Sequence, residues 1–279
     1  MLREDLDRID TVPMLPAVVG RIISMVEDPS VNAYDVSGIV SKDQSLVSSI
    51  LRIINSAHYG FFSRITSINQ AVVLLGFRTI RNLALAATVM TVYGGSSKEK
   101  SFDRAEHWKH SMATALATDL VAKQWRKKLV PDAYLVGLVH DIGRVIMDQH
   151  FPEEFDQACA LGDLGSASLV DNELQVFGLS HADIGGHVAR KWNFPADIVT
   201  SILNHHGPPP NETWTPMAAL VHIADACVHE IGIPQTNKQI DLSPEALELL
   251  GTDECGYQEM VEHISETFNQ TDIFEGLVA

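Results

Sequence analysis

The chain is poor in the residues that several kinds of protein depend on. It has three cysteines, Cys159, Cys227 and Cys255, widely spaced and with no CxxC pair. That argues against a disulfide framework or a cysteine zinc site and leaves ordinary thiols of a reducing compartment. Positive charge is scarce: 20 Lys and Arg against 36 Asp and Glu give a formal net charge of −16. Nucleic-acid grooves and anionic lipid surfaces call for basic stripes, so neither nucleic acid nor membrane is an expected partner. A small phosphorylated ligand stays open, because bound metal would dominate the local field. No apolar run approaches the roughly 18–20 residues that cross a bilayer. Met1-Leu2-Arg3-Glu4-Asp5 is charged where a secretory signal would be apolar. The expectation is a soluble, cytoplasmic protein. GxGxxG after a strand, a Walker loop, GxSxG and HExxH are all missing, so no nucleotide-loop, serine-hydrolase or zincin signature competes for the reading.

What is present is helical period. Hydrophobic residues make up 46% of 279 residues, enough for one large or two small domains with a proper core. Leu15, Val18, Val19, Ile22, Ile23 and Val26 mark one apolar face. A short helix is expected over 35–41 and another from Asp43, with a helix from the N-cap Ser67 to Gly76 and one from about Thr79 to Tyr93. Gly94-Gly95-Ser96-Ser97 is flexible and precedes a charged stretch, so the boundary is placed there: residues 1–97 form an N-terminal helical part, and 98–279 a second helical bundle. In the second part helices are expected over about 103–126, from Pro131 with His140 and Asp141 near its middle or end, from Pro152, from the Ser180–Asp183 capping box, from Pro195 to His205-His206, over about 216–231, from Ser243, and over about 257–269. Val72–Leu75 could be a strand on composition, but its flanks favour helix. The fold class is all-α.

Within that second part seven residues recur in the order H…HD…H…HH…D: His110, His140, Asp141, His181, His205, His206 and Asp225. Neutral imidazoles and carboxylates suit divalent Fe, Mn, Ni or Zn. Seven are too many for one tetrahedral site and about right for two adjacent metals with Asp141 between them, an arrangement that can clamp a phosphoester for attack by water. His140-Asp141 lie in the apolar setting Leu138-Val139-His140-Asp141-Ile142-Gly143, where an unpaired charge would be costly. Gly143 leaves room for a close approach. Glu106, one turn before His110, could be an extra ligand or an acceptor behind one. His222 lies three residues before Asp225, on nearly the same helix face. The other histidines read as structural or exposed.

This ligand order resembles the HD-domain superfamily of metal-dependent phosphohydrolases, carried by His110, His140-Asp141 and Asp225. The additional His181 and His205-His206 resemble its two-metal branch, as in the HD-GYP phosphodiesterases of cyclic di-GMP, where Glu106 would match a glutamate that often joins the metals. Leu15-Pro16-Ala17, Ser41-Lys42-Asp43, Leu51-Arg52-Ile53-Ile54-Asn55-Ser56-Ala57 and Ala71-Val72-Val73-Leu74-Leu75-Gly76 narrow the resemblance to the HDOD family. So do Trp108-Lys109-His110-Ser111, Gly137–Gly143, His181–Gly185 and Trp192-Asn193-Phe194-Pro195. The resemblance covers roughly residues 12–230. It implies an HD-type helical bundle with an N-terminal helical subdomain, in a bacterial signalling or regulatory module, many members of which are thought to have lost ligands. Retention of all seven favours metal. Against cyclic di-GMP hydrolysis, Gly207-Pro208-Pro209-Pro210-Asn211 replaces the GYP signature, and no Lys or Arg stands between Asp225 and Lys238. Arg144 replaces the family's usual lysine and is not its equivalent.

Two functions follow. One is a regulatory protein with a signalling-protein partner docked on residues 1–97 and a two-metal site serving as staple or ligand sensor. The other is a phosphohydrolase in which Asp141 bridges two metals and Arg144 contacts the substrate phosphate. There, His110, His140, Asp141 and Asp225 would hold one metal and His181, His205 and His206 the other.

Overall fold

Short polar residues set where the helices begin. Asn32, Asp43 and Ser67 accept hydrogen bonds from first-turn N–H groups, each cap contributing about 1 kcal/mol. They start α1 (Ala33–Val40), α2 (Gln44–Ile54) and α3 (Ile68–Leu75). Gly76, with φ of 79°, ends α3, and α4 (Phe77–Tyr93) follows at once. The computed structural model describes residues 20–22, 25, 31–56, 59, 61–93, 102–163, 168–233 and 240–270. Of the first expected helix, Gly20–Ile22 and Met25 are helical. The Gly94–Ser97 boundary lies outside the described residues.

Asp103 caps α5 (Arg104–Trp125), and a short 3-10 turn, Lys127–Leu129, leads into α6 (Val130–Val139). Then come α7 (Ile142–His150), α8 (Pro152–Asp163) and α9 (Leu169–Phe177). α10 (His181–Lys191) starts from a complete Ser180–Asp183 capping box. α11 (Ala196–Asn204), α12 (Pro216–Glu230), α13 (Pro244–Leu250) and α14 (Glu254–Gln270) complete the chain. The fold is all-α; the described residues contain no strand. No helix among them is long and apolar enough to cross a membrane.

The centre of the bundle is α5, α6 and α12, which are buried on almost every face. Helices of that kind are core, not surface. α5 lies against both α6 and α12. Gly137 permits its approach to α6: a Cβ there would meet Thr118 Oγ1 at 2.6 Å and the Ala115 Cα at 2.7 Å. α10 packs on α7 and α11, and α11 on α12, closing the bundle on one side. On the other side α4 packs on α6. That joint is partly ionic. Asp132, at the start of α6, accepts from Arg81 Nη2 at 2.9 Å and Asn82 Nδ2 at 2.5 Å, and pairs with Arg78. Asp132 and Arg81 are both buried.

Two features depart from the sequence reading. α9 was not expected. The helix opened by Pro131 does not carry His140-Asp141 within it: α6 ends at Val139 with His140 as its C-cap, and α7 begins after Asp141, whose φ of −102° and ψ of 13° are not helical.

Candidate metal centre

The break at His140-Asp141 decides the geometry. It lets two adjacent residues serve different neighbours, where a continuous helix would hold them about 100° apart around one axis. His140 joins His110 from α5 and Asp225 from α12. Asp141 joins His181, the first residue of α10, and His205 and His206, which follow α11. Within each group the potential ligand atoms lie within 4.8 Å of one another.

In the first group His110 Nε2 is 3.1 Å and His140 Nε2 3.8 Å from Asp225 Oδ1. In the second, Asp141 Oδ1 is 2.9 Å from His181 Nε2 and 3.3 Å from His205 Nε2. His206 Nε2 lies 3.0 Å from His181 Nε2. The groups adjoin where His140 Nε2 stands 3.6 Å from Asp141 Oδ2. All seven predicted residues therefore meet, with Asp141 Oδ1 in the second group and its Oδ2 turned toward His140 of the first.

Hydrogen bonds decide which nitrogen each ring turns inward. Nδ1 of His140 faces the Gly137 carbonyl at 2.7 Å, Nδ1 of His205 that of Ile202 at 2.7 Å, and Nδ1 of His110 that of Ile233 at 3.1 Å. Nδ1 of His181 faces Glu173 Oε2 at 2.6 Å. These oxygens accept, so each Nδ1 carries a proton and donates; in a neutral ring Nε2 is then a bare lone pair. Metal-binding histidines are oriented this way by the groups behind them. His181 and His205 point such lone pairs at each other across 3.3 Å, with Asp141 Oδ1 facing both.

Nε2 of His110 and His140 and Oδ1 of Asp141 and Asp225 are buried with no hydrogen-bond partner. Each such atom costs about 1–3 kcal/mol. A divalent cation in each group would remove that cost, and imidazole with carboxylate is the donor set that Fe, Mn, Ni and Zn accept. The residues fit divalent metal.

The electrostatics agree. Burial pushes the His140 ring down to about 4, against the opposing pull of Asp141 and Asp225, so it is neutral and able to bind a cation near pH 7. Burial pushes the two carboxyls up, yet both end well below the usual range. Arg144, His140 and His181 hold down Asp141; His110, with His140 and His229, holds down Asp225. His110 is raised despite burial, by Asp225 and then Asp141. His181 is raised despite burial and Arg144, by Glu173 and Asp141.

A family model described as the HDOD domain matches residues 12–208. The chain belongs to the HDOD family. Its fold is similar to that of an HDOD protein of unknown function from Geobacter sulfurreducens, at a TM-score of 0.81 and 24% identity, covering 98% of this chain and 96% of the other. It is also similar to a phosphohydrolase candidate from Shewanella amazonensis SB2B, at a TM-score of 0.76 and 22% identity, covering 98% and 97%. An uncharacterised Treponema pallidum (strain Nichols) protein is 28% identical over 224 residues, 80% of this chain but 43% of that protein. The chain thus spans less than half the length of that curated relative.

Two expected residues of this HDOD protein are placed otherwise than expected. Glu106 is outside the cluster: its side chain is 61% exposed, with Oε2 3.9 Å from Lys109 Nζ. One helical turn puts it beside His110 along the axis, but the carboxylate points to solvent. Arg144 is turned inward, onto Asp141 and Glu173. It is buried, its Nη1 donates to Asp141 Oδ2 at 2.5 Å, and its Nε stands 3.6 Å from Glu173 Oε1. Oδ2 of Asp141 thus accepts from Arg144 and stands 3.6 Å from His140 Nε2, while Oδ1 faces His181 and His205.

Glu173 takes the place that sequence reasoning gave to Glu106. Fully buried on α9, it accepts from the His181 backbone N–H at 2.8 Å as well as from Nδ1. Its one sequence signal is an acidic residue eight positions before His181, which is weak. His229 was also passed over; its Nε2 is 4.0 Å from Asp225 Oδ1, one turn along α12. His222 is not in the cluster but behind it. Its Nδ1 donates to the His205 carbonyl at 2.8 Å and its Nε2 accepts from Ser243 N–H at 3.1 Å, fixing the end of α11 against the start of α13.

Proposed function

We propose that this HDOD protein is a signalling or regulatory module whose His–Asp centre holds divalent metal in a largely enclosed site, as a staple or a ligand-responsive element. The observation that carries this reading is burial. Of the seven residues only His206 is exposed, and none of the other six is more than 4% exposed. A catalytic metal needs an open position facing a cleft, whereas a structural site is closed. His110, His140 and Asp225 would hold one ion; Asp141, His181, His205 and His206 the other. Arg144 would orient Asp141 and balance its charge. Metal bound only to the folded chain stabilises it by mass action. The N-terminal helices would dock a signalling protein, consistent with the exposed Phe62, Val73 and Leu74.

The second reading is a metal-dependent phosphohydrolase, favoured by the complete ligand set and by exposed His206 at the edge of the site. Metals in such a site lower the pKa of nearby water and neutralise charge on a phosphoester. The test is turnover of p-nitrophenyl and bis-p-nitrophenyl phosphate by metal-loaded protein beside Asp141→Ala. No turnover, or turnover that the substitution leaves unchanged, supports the regulatory reading. Turnover abolished in a folded Asp141→Ala protein overturns it in favour of the hydrolase.

A further inference from the structure

A second site lies away from the metal centre. The densest basic stretch of this acidic chain is Lys123-Gln124-Trp125-Arg126-Lys127-Lys128, at the end of α5 and the following turn. Beside it the described residues leave a cleft of about 570 Å³ between α4 and the α5–α6 pair, and none of the seven centre residues lines it. That volume lies within the roughly 300–1,000 Å³ of small-molecule sites.

The lining has a definite chemistry. Tyr59 and Phe61 form one side as a stacked pair, their ring planes parallel to within 4° and their centroids 6.4 Å apart, so they present aromatic surface in one orientation. Leu83 from α4 and Tyr134 from α6 supply buried walls. Lys123 Nζ sits 5.6 Å from the Tyr59 ring centroid and 2.7 Å from Asp119 Oδ2, so its charge is already partnered. Lys127 lines the cleft too, is exposed, and makes no ion pair among the described residues. Among the described residues the cleft therefore offers aromatic and aliphatic surface and a cation that makes no ion pair, in a chain of net charge −16.

We propose that this cleft binds a planar aromatic anion, its ring system against the Tyr59–Phe61 pair and its anionic group at Lys127. Aromatic stacking supplies affinity that tolerates different ring systems, and the lysine selects for charge. The location gives the ligand a purpose. α5 carries Asp119 and Lys123 at the cleft and His110 at the centre; α6 carries Tyr134 and has His140 as its C-cap. Sites between packed halves of a chain are common places for ligands.

The probe is 1-anilinonaphthalene-8-sulfonate, titrated by fluorescence into the full chain, beside its uncharged analogue N-phenyl-1-naphthylamine. The expected result is one sulfonate dye per chain, bound at least tenfold more tightly than the uncharged analogue. Lys127→Glu should weaken the sulfonate at least tenfold, and Thr79→Phe, which fills the cleft from α4, should abolish its binding. Lys128→Glu, with the same change of charge outside the lining, should bind as the parent does. Circular dichroism melting establishes that each variant is folded. Sulfonate binding unchanged in both folded Lys127→Glu and folded Thr79→Phe overturns the site. Equal affinity for the two dyes overturns the requirement for an anion.

Discussion

Gly143→Ala should damage the metal centre without altering a ligand. A Cβ at Gly143 would lie 1.9 Å from the His181 carbonyl oxygen, 2.7 Å from its carbon and 2.9 Å from the Gly185 nitrogen. All three are backbone atoms and cannot swing aside. Ordinary contact begins at 3.4 Å, so the starts of α7 and α10 must part by about 1.5 Å. Asp141 stands just before one of those helix starts and His181 at the other, with Oδ1 and Nε2 now 2.9 Å apart. Metal–ligand distances hold to about ±0.2 Å, so the displacement is several times what the second group can absorb. Overpacking costs about 1–3 kcal/mol. At about 2–4 °C per kcal/mol for a chain of this order, the metal-free melting temperature should fall by about 2–12 °C. Metal content and thermal melts, each with and without chelator, measure both effects. The variant should bind less metal than the parent and gain less stability from it. A Gly143→Ala protein with parental metal content and parental melting would refute the close approach and the role given to it.

Glu173→Gln removes the carboxylate that orients His181, and metal affinity measured by chelator competition should fall about 10–100-fold, whereas Glu106→Ala should leave it unchanged. Asp132→Ala strands buried Arg81 and should destabilise the α4–α6 joint by about 3–5 kcal/mol in urea unfolding; a loss below 1 kcal/mol would show the pair to be dispensable. Metal-free protein should also lose stability in acid. His140 is neutral when folded down to about pH 4 but takes a proton near 6.5 when unfolded, so the unfolded state binds more protons across that window. Stability should therefore fall as pH drops from 6.5 to 4, by about 3 kcal/mol from this residue alone. The contributions of His110 and His181, whose pKa values are raised, are fully present below 6.5 and are lost instead as pH rises through those values. Urea midpoints that do not decrease towards pH 4 would contradict the assignment.

The legible parts of the fold were those governed by neighbours in sequence. Ser67 and Gly76 bound α3 as read, and the Ser180–Asp183 box places His181 at the first position of α10. The ligand residues were legible because so many imidazoles and carboxylates occur in one order among apolar helices. The break at His140-Asp141 was not, since Leu138–Ile142 holds no glycine or proline. It is imposed at a distance: Gly143 packs on the α10 backbone, and the Asp141 carboxylate turns into the centre instead of capping α7. Spacing alone likewise suggested Glu106 and missed Glu173. The first is near His110 along one helix, while the second reaches His181 across the Gly178 turn that joins α9 to α10.

The central claim is that the buried cluster is a divalent metal centre. Elemental analysis of protein purified without chelator, beside Asp141→Ala, tests it most directly. The account predicts about two divalent ions per chain when both groups are filled, and a loss in Asp141→Ala that falls on the group containing His181, His205 and His206. No bound metal in the parent protein, even after reconstitution with Fe, Mn, Ni and Zn in turn, would contradict it and leave the cluster a polar network neutralised by protons alone.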